Sequence, residues 1–318
     1  MNQSLLIVGP DIALRGVGGV TIHVQRLRDY LEKEGYDFDF KDYKSNSLWT
    51  LWRAIMYHKM VHIHISNPLY QFVVVLMSYL LGKETIVTLH GNYGRFNALK
   101  NWLVKRSLKM VKVPIVINEK SFNVCKSFNK NTILIPAFIP PQKTETLQKE
   151  AVAIFDDLHR EGKTVFVTNA SNVSLDKNGN EIYGIEFLVE YFKDAVDKAL
   201  VVSDPSGNYE KKYHGLHSSC VFFINYPHSY YEVLKRADYS IRNTSTDGDA
   251  LSVKESLCLG IPTLCSDAVD RPNGVRLFKY CDRESFEKCL KNNNINKVEI
   301  ENGAERIIKV YKSIENYV

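Results

Sequence analysis

The nine residues from Pro136 to Thr144 (PAFIPPQKT) carry three prolines within six positions. Proline lacks a backbone donor and fixes φ, so such a run fits neither a helix interior nor a central strand. The chain therefore divides here, and each side must fold around its own core. Before the prolines, short apolar runs alternate with helical patterns, the mark of parallel βα units. Strands are expected at Leu5–Val8, Phe38–Phe40, Val61–Ile65, Thr85–Leu89, Ile115–Ile117 and Thr132–Ile135. After the prolines a second series follows near Thr164–Val167, Ala199–Val202, Cys220–Ile224, Tyr239–Ile241 and Pro262–Cys265. The 318 residues suit two domains of about 150 residues each. The expected class is α/β, with doubly wound domains over residues 1–140 and 145–303. A C-terminal helix over 304–318, with Ile307, Val310, Tyr311 and Ile314 on one face, is expected to pack across the junction.

Open parallel sheets bind ligands beyond the carboxyl ends of their strands, where helix N-termini converge, so a tandem pair is expected to bind in a cleft between domains. In the first half, Val20, Val24, Leu27 and Leu31 form one stripe of a helix that Gly35 can end. The N-terminus has no basic region before its apolar run, which argues against a secretory signal. The longest apolar run, Phe72–Leu81, is about half of what a bilayer-spanning helix needs and reads as a buried helix. None of the six cysteines falls in a CxxC pair, so free thiols in a reducing cytosol are expected. Charge is unevenly distributed. Residues 1–143 hold 19 Lys plus Arg against 9 Asp plus Glu, and the remainder holds 22 against 27. The first half is thus suited to an anionic partner such as a phospholipid headgroup or a lipid-linked phosphate. No zinc finger, RNP-like string or recognition helix supports nucleic acid as that partner. Leu99–Lys112 reads as a basic amphipathic helix able to lie on an anionic membrane at the inner face of the cell, or as an ordinary surface helix.

Chemistry concentrates in RNTSTDGDALSVKESLCLGIPTLCSD, Arg242–Asp267. A strand ending near Ile241 leads into a polar loop, then a helix from about Ala250 with Asp249 as its candidate N-cap, then Gly260 and Pro262 before another strand. The backbone N–H groups of Ala250, Leu251 and Ser252 would lie at the positive end of that helix, suited to a phosphate. Glu255, one turn further on, could accept hydrogen bonds from ribose hydroxyls, and Asp247 lies in the loop. An acid-x7-acid spacing alone is weak, since acidic residues are common and helix capping plus a solvated Glu is the better explanation of the spacing by itself.

The whole string resembles the E-G-F-G-L-x-x-x-E-A-x-x-x-G-x-P-x-x-x-S pattern of GT-B glycosyltransferases of the family 4 type. Asp247 stands for the first Glu, with Gly248, Leu251, Glu255, Gly260, Pro262 and Ser266 in register. Upstream segments are similar to the same family: GVGGVTIHVQRL from Gly16, VTLHG at Val87–Gly91, ILIPAFIPP at Ile133–Pro141, YGIEFLVEYF at Tyr183–Phe192, and VFFINYPHSYYEVLKRADYSI, which includes Tyr226 before the base-binding loop. The resemblance spans nearly the full length. It implies two tandem Rossmann-like domains, a nucleotide-sugar donor, retention of configuration, and no metal or other cofactor. It places Gly18, Gly19, Asn169, Tyr226, Gly248, Asp249, Ala250, Leu251, Ser252 and Glu255 against the donor, and Asp247, Arg242 and His90 at the reacting centre. A UDP-sugar and a glycan or lipid-linked acceptor in bacterial surface polysaccharide synthesis are the expected substrates.

The chain departs from that family at two cations. Asn169 and Ala170 stand where an Arg is usual, and Tyr183 where a Lys is usual. Arg242 is the leading substitute, with Lys177 and Arg15 behind it. His62 and His64 alternate on one strand face, but the sequence offers no evident third ligand, so both read as structural. Two other functions remain open at this stage. One is a degenerate GT-B protein that binds nucleotide sugar without turnover. The other is a dinucleotide-dependent oxidoreductase, although GPDIALRGVGG is not a compact G-x-G-x-x-G.

Overall fold

The structure is a computed structural model that describes residues 5–16, 18–143, 145–216, 218–247, 250–291 and 298–315. The chain forms two compact units, one of Met1–Lys143 with Glu301–Val318 and one of Thr144–Ile300. The first contains β1 (Leu5–Gly9), α1 (Ile12–Arg15), α2 (Gly19–Lys33), β2 (Phe38–Asp42), α3 (Leu48–Tyr57), β3 (Met60–Ile63), α4 (Pro68–Leu80), β4 (Glu84–Leu89), α5 (Ala98–Met110), β5 (Val113–Val116), α6 (Glu119–Lys126) and β6 (Ile133–Leu134). The second contains α7 (Lys149–Arg160), β7 (Thr164–Asn169), α8 (Ile185–Phe192), β8 (Lys198–Ser203), α9 (Asn208–Lys212), β9 (Val221–Ile224), α10 (Tyr230–Leu234), β10 (Tyr239–Arg242), α11 (Leu251–Cys258), β11 (Thr263–Ser266), β12 (Arg276–Phe278) and α12 (Arg283–Lys291). The chain then returns to the first unit as α13 (Gly303–Glu315).

Each unit is built on a six-stranded parallel sheet. In the first the strand order is β2-β1-β3-β4-β5-β6, so successive connections reverse direction between β1 and β3. In the second the order is β12-β11-β10-β7-β8-β9, and the reversal falls between β7 and β10. Such switch points leave a crevice at the carboxyl edge, because the loops on either side lead away from each other. The inner strands of the first sheet are largely apolar, as β1 (LLIVG) illustrates with every residue buried, since both sheet faces are covered, whereas the edge strand β2 (FDFKD) alternates and is mostly half-buried. In the first unit, Leu51, Ile55, Val74, Val75, Val104 and Leu108 of α3, α4 and α5 pack on one face. Leu27 and Leu31 of α2 pack on the other.

Helix starts follow from local chemistry. The side chains of Ser47, Asn67, Asn97 and Asn118 accept from first-turn amides of α3, α4, α5 and α6, and Pro68 opens α4 at a position needing no donor. Most of the apolar run, Phe72–Leu80, lies in the 13-residue α4 with Leu81 as its C-cap, but the helix is not buried as expected, since Tyr79 and Leu80 at its outer end are exposed, and no described helix is long and apolar enough to cross a membrane. All six cysteines are free. Helix α13 belongs to the first unit, where it buries Ala304, Ile307, Ile308, Val310, Tyr311 and Ile314 with Leu5, Ile7, Ile86 and Ile115 of the first sheet. Its apolar stripe completes the layer that α2 begins. Strand β12 escapes the sequence reading because it is three residues long with Leu277 exposed at the sheet edge.

Candidate functional site

In the second unit the decisive side chains gather at the switch point between β7 and β10. Arg242 ends β10, and Asn169 ends β7. The Arg242 guanidinium donates from Nη1 to the Asn169 carbonyl at 3.0 Å and to Asn169 Oδ1 at 3.2 Å. Its Nε donates to Asp247 Oδ2 at 2.8 Å. The guanidinium also lies 5.0 Å from the centre of the Tyr183 ring, so the residue standing where the family has Lys supplies a π face for a cation instead.

A second arginine, absent from the sequence reading, completes the cluster. Arg271, in the loop after β11, donates from Nη1 to Asp247 Oδ2 at 3.2 Å and from Nε to the Ser266 carbonyl at 3.2 Å. Its side chain is 2% exposed. Ser266 in turn donates to the Thr244 carbonyl at 2.6 Å and accepts from the Thr244 amide at 3.0 Å, which ties the β10 and β11 loops together. Burial pushes the Asp247 carboxyl upward, but Arg242 and Arg271 outweigh it and hold the group below the ordinary carboxylate range. Burial likewise opposes charge on Arg242, and Asp247 more than restores it. Among the described residues, two guanidiniums thus meet one carboxylate in this cluster, and that excess of positive charge suits an anionic ligand.

Helix α11 begins at Leu251, one residue later than expected, with Ala250 at the N-cap. Alanine has no side chain to accept from the first turn. The expected cap Asp249 and the neighbouring Gly248 lie outside the described residues. Ser252 and Glu255 are buried on α11, while Leu251 is half-buried. Tyr226, after β9, accepts from the Gln148 amide at 3.1 Å and packs edge-on against His228. The two lesser substitutes for the missing cations lie elsewhere. Lys177 is exposed in the Asp176–Asn180 turn, and Arg15 is held in the first unit by Asp42 at 2.7 Å.

In the first unit Gly18 caps α2 in an extended conformation open to any residue, so left-handed geometry is not why glycine stands there. What the pair provides is space. A Cβ on Gly19 would meet nothing within 4 Å, and one on Gly18 only Thr21 Oγ1 at 3.8 Å. His90, one residue past β4, is half-buried in a cluster of imidazoles. Its Nε2 lies 3.0 Å from His64 Nδ1. His23 of α2 anchors to the Ala137 carbonyl through Nδ1 at 2.8 Å and sets its ring edge-on to His90 at 4.8 Å. His62 bonds Tyr311 of α13 at 2.5 Å and Thr88 at 2.8 Å. Burial, then the neighbouring histidines, push His62, His64 and His90 well below the usual imidazole range, so all three are neutral.

The structure groups His64 with His23 and His90 and leaves His62 to Tyr311 and Thr88. One nitrogen each from His23, His64 and His90 lies within 4.8 Å of the others. Tetrahedral zinc, with bonds of about 2.0–2.1 Å, needs nitrogens roughly 3.4 Å apart. The rings would have to close on an ion and break the His64–His90 hydrogen bond, so their present arrangement is that of a hydrogen-bonded imidazole cluster. His23 was legible only as a residue flanking the apolar stripe of α2. Arg271 lay four residues past the end of the recognised segment, and the one available signal was that loops at a switch point converge.

No protein-family model and no curated protein matches the sequence. Solved structures do match the fold. HepE from Anabaena, in complex with UDP and glucose, superposes with a TM-score of 0.67 over 99% of both chains at 12% identity. The fold is GT-B. Sucrose-phosphate synthase from Thermosynechococcus elongatus matches with a TM-score of 0.63 at 12% identity, over 99% of this chain and 100% of that one. The UDP-GlcNAc 2-epimerase of Methanocaldococcus jannaschii, in complex with UDP-GlcNAc and UDP, matches at 0.58 and 12% identity, over 98% and 99%. The same GT-B frame thus serves both synthases and epimerases, and the choice between such chemistries rests on side chains.

Proposed function

We propose that this protein is a glycosyltransferase that moves a sugar from a nucleotide diphosphate sugar to a glycan or lipid-linked acceptor. The observation that carries this reading is the buried Arg242–Asp247–Arg271 cluster at the switch point of the second sheet. It lies within and just after the segment that resembles the family 4 pattern. Two guanidiniums there replace the two cations that the family takes from positions now occupied by Asn169 and Tyr183. Departure of the diphosphate is the step that most needs positive charge, because the bond from C1 to the phosphate oxygen breaks with its electron pair leaving on that oxygen. The acceptor hydroxyl then forms the new C1–O bond and gives up its proton to the departing phosphate oxygen. Asp247, held ionised between the arginines, would engage sugar hydroxyls once phosphate oxygens take over the guanidiniums, and Glu255 the ribose. The first unit, with its basic surplus and the open turn at Gly18 and Gly19, would serve the acceptor, with His90 as a neutral hydrogen-bonding group.

A UDP-sugar donor is supported by the ligands named for HepE and for the epimerase. Retention of configuration, independence of metal and a place in surface polysaccharide synthesis rest on the family resemblance. The test begins with a thermal-shift screen over nucleotides and nucleotide sugars, since ligand at a hundredfold over Kd stabilises by about 2.7 kcal/mol. Transfer and slow donor hydrolysis are then measured for wild type and Asp247→Ala. Equal rates in the two proteins sink the role given to Asp247, and conversion of UDP-GlcNAc to its 2-epimer without an acceptor assigns the protein to the other chemistry its fold supports.

A further inference from the structure

Exposed apolar side chains are unevenly distributed. Of the 15 large hydrophobic residues that are exposed among the described residues, ten lie on α3, α4 and α5: Leu48, Trp49, Met56, Tyr57, Leu69, Tyr70, Tyr79, Leu80, Leu99 and Trp102. The three helices cover the same face of the first sheet, and α4 touches both of its neighbours. Each follows a parallel strand, so their N-termini share the carboxyl edge of that sheet. This places Leu48 and Trp49, Leu69 and Tyr70, and Leu99 and Trp102 along one rim. Two ring pairs lie among these helices, with Tyr43 5.5 Å from Tyr70 and Phe72 6.4 Å from Trp102. Trp49 and Leu99 are each 68% exposed. Met56, Tyr57, Tyr79 and Leu80 lie at the other ends of α3 and α4, but six exposed apolar side chains at one edge are more than a monomer ordinarily leaves without a use.

Charge identifies the use. Residues 43–118, which include the rim, hold ten Lys plus Arg and a single carboxylate, Glu84. Glu84 is itself paired with Lys112 at 3.3 Å. Arg53, Lys100, Arg106 and Lys109 are exposed among the apolar residues, and Arg106 stacks 5.2 Å above the Trp102 ring. A nucleic acid would pair with the cations and leave the three leucines in water. An anionic lipid surface satisfies both sets at once, because the indoles and leucines enter the headgroup layer while Lys and Arg meet phosphates. We propose that the rim formed by α3, α4 and α5 docks the first unit onto an anionic phospholipid surface. Helix α5 does not lie flat on the bilayer, since Val104, Ser107 and Leu108 are buried in the core. It contributes only its N-terminal end and its basic flank. The docking does not depend on the transfer reaction.

The test uses the full chain and vesicles of phosphatidylcholine with or without phosphatidylglycerol, in co-sedimentation at low and high salt. Binding to the anionic vesicles is expected to exceed that to phosphatidylcholine at least tenfold and to weaken at high salt. Changing Arg53, Lys100 and Lys109 together to Gln is expected to weaken it roughly a hundredfold, at about 1 kcal/mol per basic residue near the surface. Tryptophan emission of the unaltered protein is expected to shift to the blue and to be quenched by brominated lipid, and Trp49→Ala with Trp102→Ala to remove most of that quenching. Equal binding to both vesicles, binding that the triple variant leaves unchanged, or the absence of quenching each overturns the proposal. A dimer in sedimentation velocity that Trp49→Ala dissolves gives the rim to a second copy of this chain instead, and so does overturn it.

Discussion

Arg271 and Arg242 differ in what they would lose on substitution. Arg242 bridges the ends of β7 and β10 and stacks on Tyr183, whereas Arg271 is fixed to Ser266 through Nε on the carbonyl and Nη2 on the hydroxyl and points Nη1 toward Asp247. Charge-assisted hydrogen bonds contribute about 1.5–3 kcal/mol each. Replacing either arginine by Ala is therefore expected to lower kcat/KM for the donor by roughly tenfold to a hundredfold, as measured in transfer assays. Arg242→Lys is expected to recover little of that loss, because Lys has no planar fork to reach both Asn169 and Asp247. Asp247→Asn leaves two buried guanidiniums without their carboxylate and is expected to lower stability by about 3 kcal/mol. Added UDP should raise the melting temperature of that variant more than that of wild type, since diphosphate supplies the missing negative charge; an equal rise in both places the nucleotide elsewhere. Asp247 and Arg242 could be singled out in the sequence because they sit in one contiguous segment whose glycine and proline spacing resembles a known pattern, and the structure joins the two side chains. Arg271 and His23 were not, since each acquires its meaning from a neighbour on another element, and only the folded sheet brings Arg271 to Asp247 or His23 to His90.

Among elements, the strands were the most legible, because in a parallel sheet covered on both faces they read as short continuous apolar runs. Strand β12 was hidden by its alternating Arg-Leu-Phe at the sheet edge, and the placement of α13 by the fact that an apolar stripe states how much a helix buries but not against what. The contact of α13 with the imidazole cluster gives its position a measurable consequence. Tyr311 is fully buried and its hydroxyl bonds His62 Nδ1, which also sits at 0% exposure. Tyr311→Phe removes that partner while keeping the ring, and is expected to cost about 1–3 kcal/mol in denaturant unfolding, the range for stranding a buried polar atom. Ile307→Ala is expected to cost about 2–5 kcal/mol through its cavity. A loss confined to the second unit, followed by hydrogen exchange, would place α13 in the wrong core.

At the scale of the molecule, acid should act first on the first unit. His62, His64 and His90 are held neutral there, with folded values well below the ordinary imidazole value, so the unfolded chain binds protons that the native chain refuses. Stability then falls as pH drops below about 6.5 and is regained above it. Between pH 7.5 and 5.5 each such histidine contributes up to about 1.4 kcal/mol, so a loss of roughly 2–4 kcal/mol is expected, whereas a flat profile would show that the folded imidazoles take up protons as those of the unfolded chain do. Asp247 works in the opposite sense, since its depressed value makes its contribution complete above the usual carboxylate range and lost only in stronger acid. The return of α13 to the first sheet also bears on how the protein is made. Residues 5–143 leave the ribosome with one face of their sheet lacking Ile307, Ile308, Tyr311 and Ile314. The second unit is complete in sequence before α13 has been synthesised, so the domain that begins the chain is the last to reach its native core. During elongation its unfinished apolar face is what chaperones would be expected to hold.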